Sequence, residues 1–76
     1  EGAKHAPALD AAADELDDRI SGIPGVIVER KRFAVAVHYR LVADDEFPRV
    51  RDAVEDVAAR HPELRRTGGK KVFELR

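Results

Sequence analysis

The sequence predicts an α+β fold in which two helices pack on one face of a four-stranded, mostly antiparallel sheet. Two stretches with helical spacing of apolar residues each precede a pair of alternating, strand-like runs, which gives the element order αββαββ. Each helix has one apolar stripe and each hairpin one apolar face, and two layers bury both. The other sheet face is therefore expected to stay open. A chain of 76 residues suffices for one small domain with a single core.

The composition narrows the classes of partner. The net charge is -1, with 14 basic and 15 acidic residues, so we expect no nucleic-acid partner. The basic run at 30–32 has little aromatic interleaving, which also argues against nucleic acid. No run approaches the roughly 18 apolar residues of a membrane span, so no membrane partner is expected. The chain has no cysteine, which fits a reducing compartment, and we predict a cytoplasmic location.

A first helix is predicted at about residues 7–21, because Pro7 suits a first helical turn and apolar residues then recur every three or four positions. The acidic side chains of this stretch are expected to form a solvated face. Residues 1–6 are expected to be loose. Two glycines and a proline within 21–25 predict a connector that ends the helix.

The first hairpin is predicted from strands at 26–29 and 33–40. A two-residue loop at Lys31-Arg32 would pair Val28 with Val35. This register puts six apolar residues on one face, namely Val26, Val28, Phe33, Val35, Val37 and Tyr39. The opposite face would carry Ile27, Glu29, Ala34, Ala36, His38 and Arg40. The first set is expected to face the core and the second to face solvent or a ligand.

The second half repeats the plan. A helix is predicted at roughly 45–61, with the acids at 44–46 as cap and dipole partners and His61-Pro62 as its end. Gly68-Gly69 predicts a two-residue hairpin loop that would pair Thr67 with Lys70. Leu64, Phe73 and Leu75 would then face the core.

The open face is predicted to collect polar groups of both charges, which suits a neutral, hydroxyl-rich ligand, while Arg and Lys would also suit a phosphate. The predicted substrate-binding residues are Glu29, Lys31, His38, Arg40, Lys70 and Glu74. The alternative is that these are solvent-face charges paired across strands, each pair worth roughly 0.2–1 kcal/mol. Catalytic motifs are scarce: the one serine, Ser21, lies in the connector, and the three histidines have no metal-ligand spacing.

Two motifs resemble a known family. Residues 29–40, ERKRFAVAVHYR, are similar to the "E-x-K … HYR" segment of trehalose-6-phosphate phosphatases, and residues 67–76, TGGKKVFELR, resemble their "GKK-x-x-E-h-R" segment. The resemblance covers roughly residues 20–76. It implies the haloacid dehalogenase superfamily, in which a Rossmann-like core carries a mobile cap with an open-faced sheet. In this family the cap holds the trehalose moiety, and the core binds phosphate and Mg²⁺.

For this chain, the resemblance implies a single cap (lid) domain over residues 1–76, excised from a larger phosphatase. It implies Glu29 and Lys31 as sugar contacts, with Arg40, Lys70 and Glu74 near the sugar or the phosphate. The family's catalytic aspartates and Mg²⁺ ligands do not occur here, so the chain alone is expected to be inactive. The parent would hydrolyse trehalose 6-phosphate to trehalose and phosphate. The alternatives are a cap from another sugar phosphatase of this superfamily, or a free-standing α+β interaction module.

Overall fold

The computed structural model describes residues 6–76, and side chains from residue 7 onward. The elements are α1 (Ala6–Ile20), β1 (Ile27–Arg30), β2 (Val35–His38), α2 (Phe47–Arg60), β3 (Arg66–Gly69) and β4 (Val72–Leu75). The strands lie side by side in the order β1-β2-β4-β3, and every neighbouring pair is antiparallel. This confirms the predicted fold class and element order. The prediction of a loose segment at 1–6 lies outside the described residues, except that α1 already includes Ala6.

The core lies between the two helices and one face of the sheet. The apolar stripe of α1 is buried, as are the central valines of α2 and the helix-side residues of β2 and β4. The largest fully buried side chains are Leu16, Ile20, Val35, Val37, Val50, Val54, Val57 and Leu75. An aromatic cluster extends this core, because the ring of Tyr39 lies 4.9 Å from that of Phe47 and 4.8 Å from that of Phe73. This packing leaves the second sheet face uncovered by helices.

Ion pairs tie the helices to each other and to the first hairpin. Arg30, on the helix side of β1, donates to Asp14 at 2.7 Å and to Asp17 at 2.8 Å. The expected solvated face of α1 is therefore only partly correct, because two of its exposed acids bind this arginine. Glu15 of α1 meets His61 at the end of α2, with 3.0 Å between Oε2 and Nε2. These pairs hold the two layers in one orientation.

The turn of the first hairpin lies one residue later than predicted. Arg30 pairs with Val35 and Val28 with Val37, and the Lys31 amide donates to the Ala34 carbonyl at 2.8 Å. The loop is thus Arg32-Phe33, and Phe33, predicted in the core, is 54% exposed. The guanidinium of Arg32 lies over the Phe33 ring instead. The register shift is two residues, so the predicted faces are otherwise retained.

The second hairpin turns at Lys70-Lys71 rather than at Gly68-Gly69. Thr67 pairs with Glu74 and Gly69 with Val72, so both glycines belong to β3. Lys71 takes the left-handed conformation that the glycines were expected to supply, with φ at 58°. Gly68 is instead needed for close approach, because a Cβ there would lie 2.9 Å from the Val72 carbonyl oxygen. The shift is an even number of residues, so the faces again survive.

The helix ends agree with prediction only in part. α2 ends at Arg60, with His61 as C-cap before Pro62. Its N-cap residue, Glu46, makes no side-chain cap hydrogen bond, and its carboxylate accepts from Arg49 at 2.9 Å instead. The predicted acidic cap is therefore wrong. Within residues 6–76, neither helix has the length and apolar character needed to cross a membrane.

Candidate functional site

The strand registers arrange the open face in three rows that cross all four strands. The first is a cationic row of Lys31, Ala34, Arg76 and Arg65, which continues the strand pairing beyond the strand ends through backbone hydrogen bonds. The second is an acidic row of Glu29, Ala36, Glu74 and Thr67. The third is an apolar row of Ile27, His38, Val72 and Gly69. Since side chains alternate between faces, residues two apart along each strand reach the same surface.

Side-chain contacts link the acidic row to both of its neighbours. Glu29 Oε1 lies 2.8 Å from His38 Nε2. Glu74 accepts from Lys31 at 3.3 Å and from Arg76 at 3.1 Å. The bond from Lys31, with the nearby charge of Arg76, lowers the pKa of Glu74 below its ordinary value. Both glutamates are therefore held in defined positions, as ionised acceptors above the acid range.

Three shallow depressions cover this face. The first, about 410 Å³, is lined by Gly25, Ile27, Glu29, His38, Arg40 and Leu41. The second, about 330 Å³, lies over β4 and β3 and includes Thr67, Gly69, Val72 and Glu74. The third, about 400 Å³, surrounds the turn at Arg32-Phe33 and shares Lys31, Glu74 and Arg76 with the second. Because neighbouring depressions share residues, together they form one broad trough along the sheet.

Five of the six predicted substrate-binding residues line this trough. Glu29, His38 and Arg40 line the first depression, and Lys31 and Glu74 line the other two. Lys70 does not line it, because the shifted hairpin places this residue in the β3–β4 turn. Their role in binding stays a prediction.

Sequence reasoning missed two residues of the trough. Arg76 donates to Glu74, and Thr67 lies directly opposite Glu74 on β3. The motif at 67–76 contains both, and a correct register for the second hairpin would have found them. The predicted register paired Thr67 with Lys70, which displaced it from the acidic row.

The face can supply hydrogen-bond donors and acceptors of both charges. Ala36, at its centre, is fully buried between the two glutamates that flank it, so the floor there is flat backbone and methyl. Among residues 6–76, no three His, Cys, Asp or Glu side chains are grouped so that they could hold a metal ion. The arrangement therefore suits recognition of a polar molecule.

The fold defines an open-faced, two-layer α+β module whose uncovered sheet face is polar. Comparison with known proteins gives its family. A model described as trehalose-phosphatase matches residues 3–76, so the chain belongs to the trehalose-phosphatase family. It is 53% identical over 70 residues to a trehalose-phosphate phosphatase of Mycobacterium avium, and 51% identical to that of Mycobacterium leprae. Each alignment covers 92% of this chain but only 18% and 16% of the relatives.

Solved structures agree with the fold. A trehalose-6-phosphate phosphatase related protein superposes with a TM-score of 0.86 at 27% identity, over 99% of this chain and 32% of that one. A trehalose-6-phosphate phosphatase of Aspergillus fumigatus gives a TM-score of 0.77 at 19% identity, over 92% of this chain and 27% of that one. The chain therefore corresponds to less than one fifth of the curated relatives' length and about one third of these structures.

Proposed function

We propose that this chain is the substrate-specificity cap of a trehalose-6-phosphate phosphatase. In this proposal the open sheet face binds the sugar and closes over a catalytic core that belongs to the rest of a longer polypeptide. The longer enzyme hydrolyses trehalose 6-phosphate to trehalose and phosphate in the cytoplasm. Its Mg²⁺ would be held by the core, since residues 6–76 offer no ligand set for it.

The observation that carries the proposal is the polar trough on the open face of a chain from this family. Glu29 and Glu74 are fixed acceptors, and His38, Lys31 and Arg76 surround them with donors. Sugar hydroxyls both donate and accept, so such a set can bind several of them at once. A ligand lacking these hydroxyls would leave buried polar groups unpaired once the core covers the face, which gives discrimination between substrates.

The alternative is that these groups only pair with each other across strands. All of them are at least partly exposed, and surface pairs contribute little to stability. The pairing itself does not separate the two interpretations, because ligand hydroxyls can displace such contacts. What separates them is substrate dependence.

The test is a comparison of two substrates on the longer enzyme. Glu29→Ala removes one acceptor of the acidic row, and we expect kcat/KM for trehalose 6-phosphate to fall by roughly 10-fold or more, as for a lost bond to a charged group. Turnover of a small aryl phosphate should change by less than about 2-fold. Arg51→Gln, on the exposed surface of α2, is the matched control and should change neither value.

Two outcomes would contradict the proposal. Equal losses on both substrates would mean that Glu29 supports the fold or the catalysis rather than sugar recognition. No loss on either would leave the open face without a role in substrate binding. A parent that prefers another sugar phosphate, with the same Glu29 dependence, would indicate a cap from a different sugar phosphatase.

A further inference from the structure

The three rows make the open face directional. We infer that the substrate lies along the strands, with its phosphate over the cationic row and the sugar ring farther from the phosphate over the apolar row. This inference rests on the proposed function, and it assigns Arg76 and Ile27 opposite roles that the motifs alone do not give. It follows from how charge and apolar surface are distributed along β1, β2 and β4.

The cationic end carries more positive charge than its one acid can balance. Lys31 and Arg76 share the single carboxylate of Glu74. Arg65 occupies the same row on the neighbouring strand segment, since Arg65 and Arg76 exchange both backbone hydrogen bonds. Arg32 lines the adjoining depression. A phosphate over this end would meet several donors, and bonds between Lys or Arg and phosphate oxygens are of the stronger, charge-assisted kind.

The opposite end of the trough is balanced in charge and more apolar. Its depression contains one acid, Glu29, one arginine, Arg40, and His38. Ile27 and Leu41 line it while remaining 55% and 74% exposed. A sugar ring has C–H faces as well as hydroxyls, and it can cover such side chains while its hydroxyls reach Glu29 and His38. Covering them removes apolar surface from water, which favours binding.

The spacing of the rows is compatible with one extended ligand. Successive rows are two residues apart, or about 7 Å along an antiparallel strand, so the cationic and apolar rows are about 14 Å apart. The acidic row lies between them, where the hydroxyls of the ring next to the phosphate would fall. A disaccharide that carries a phosphate at one end can therefore contact all three rows in a single orientation.

The test uses two competitive inhibitors of aryl phosphate hydrolysis by the longer enzyme. Trehalose reports on the sugar alone, and trehalose 6-sulfate adds an anionic group that is not a phosphate ester. For Lys31→Gln and Arg76→Gln, we expect the inhibition constant of trehalose 6-sulfate to rise roughly 10-fold, because each loses a charge-assisted bond. The constant for trehalose should stay within about 2-fold.

Ile27→Ser provides the opposite arm. It removes apolar surface under the far sugar ring, and both inhibition constants should rise together by roughly 3- to 10-fold. Arg51→Gln on α2 is again the control, with neither constant changed. The KM for the aryl phosphate reports that each variant is folded.

The outcomes separate this inference from the proposed function. If the Lys31 and Arg76 variants weaken trehalose as much as its sulfate, the cationic row contacts hydroxyls and the orientation is wrong. If Ile27→Ser weakens only the sulfate, the orientation is reversed. If no variant changes either constant, the open face does not bind substrate, and the proposed function fails with it.

Discussion

The two faces of the sheet use the same strands for different purposes. On the helix side, Val35, Val37 and Leu75 are almost fully excluded from water, and charged groups lie only at the periphery of the helices. On the open side, the neighbouring positions Ala36 and Glu74 belong to a row of polar and small side chains. One residue along a strand thus separates packing from a hydrogen-bonding surface.

This difference implies that stability and ligand recognition can be changed separately. Burial of apolar side chains supplies the main driving force for folding, and in a domain of this size there is one core to supply it. The exposed ion pairs of the open face add little. We therefore expect substitutions on the helix side to unfold the chain, and substitutions on the open face to leave it folded.

The largest expected effect comes from Leu16→Ala. Leu16 is fully buried between the helices and the sheet, and a truncation there removes packed methyl groups and leaves a cavity. We expect a loss of about 2–5 kcal/mol in the free energy of unfolding, measured by urea titration. Ile27→Ala on the open face, where the side chain is half exposed, should cost less than about 1 kcal/mol. Equal losses at both positions would contradict the separation of the two faces.

A somewhat smaller effect is expected where the connector between α1 and β1 meets the loop after β2. Gly25 has φ at +90°, and a Cβ there would lie 2.2 Å from the Leu41 carbonyl oxygen. Gly25→Ala should therefore cost about 2 kcal/mol or more, since strain and a backbone clash act together. Gly22→Ala is the matched control, because a Cβ at Gly22 meets nothing within 4 Å. Similar melting temperatures for the two variants would contradict this account.

The fold was predictable because the pattern of apolar residues depends only on which face each residue occupies. The turns were not, because both hairpins shifted by an even number of residues, which leaves that pattern unchanged. At the first hairpin, Phe33 looks like a core residue in sequence, yet its ring lies against Arg32 in the turn. At the second, Gly68-Gly69 is a strong turn signal, but close approach to β4 explains Gly68.

The candidate site was predictable as a face and less so as a set of neighbours. Glu29 and His38 lie within 2.8 Å of each other, as their shared face suggested. The contact between Glu74 and Arg76 depends on two residues of one strand, and the link to Lys31 depends on β2 and β4 being adjacent. Nothing in the alternation of side chains specifies that strand order, so the rows could not be derived from sequence.

Acid sensitivity should be common to both sides of the sheet. The bond to His61 lowers the pKa of Glu15, and the bond to Lys31 lowers that of Glu74. A lowered pKa in the folded state means that each contribution is fully present above the unfolded pKa, near 4.3, and is lost as pH falls through the folded value. Glu15→Gln and Glu74→Gln should each flatten the decline in stability below about pH 4.5.

The measurement is the free energy of unfolding at several pH values from 7 to 3. Asp10→Asn on α1 is a control whose profile should follow that of the unmodified chain, since no side-chain partner of Asp10 is among the contacts of the described residues. A profile for either glutamine variant that coincides with the unmodified chain over the whole range would contradict a stabilising role for that carboxylate.

The smallest effect concerns the turn that sets the register of the open face. Lys71 has φ at 58°, a conformation that costs a side-chain-bearing residue roughly 1–2 kcal/mol and glycine almost nothing. Part of this gain is offset by the greater freedom of glycine in the unfolded chain, so Lys71→Gly should stabilise the fold by up to about 1 kcal/mol. Lys70→Gly, at the neighbouring position without a positive φ, should give no gain. If the turn were instead at Gly68-Gly69, Lys71→Gly would destabilise β4, and urea unfolding of the two variants distinguishes these registers.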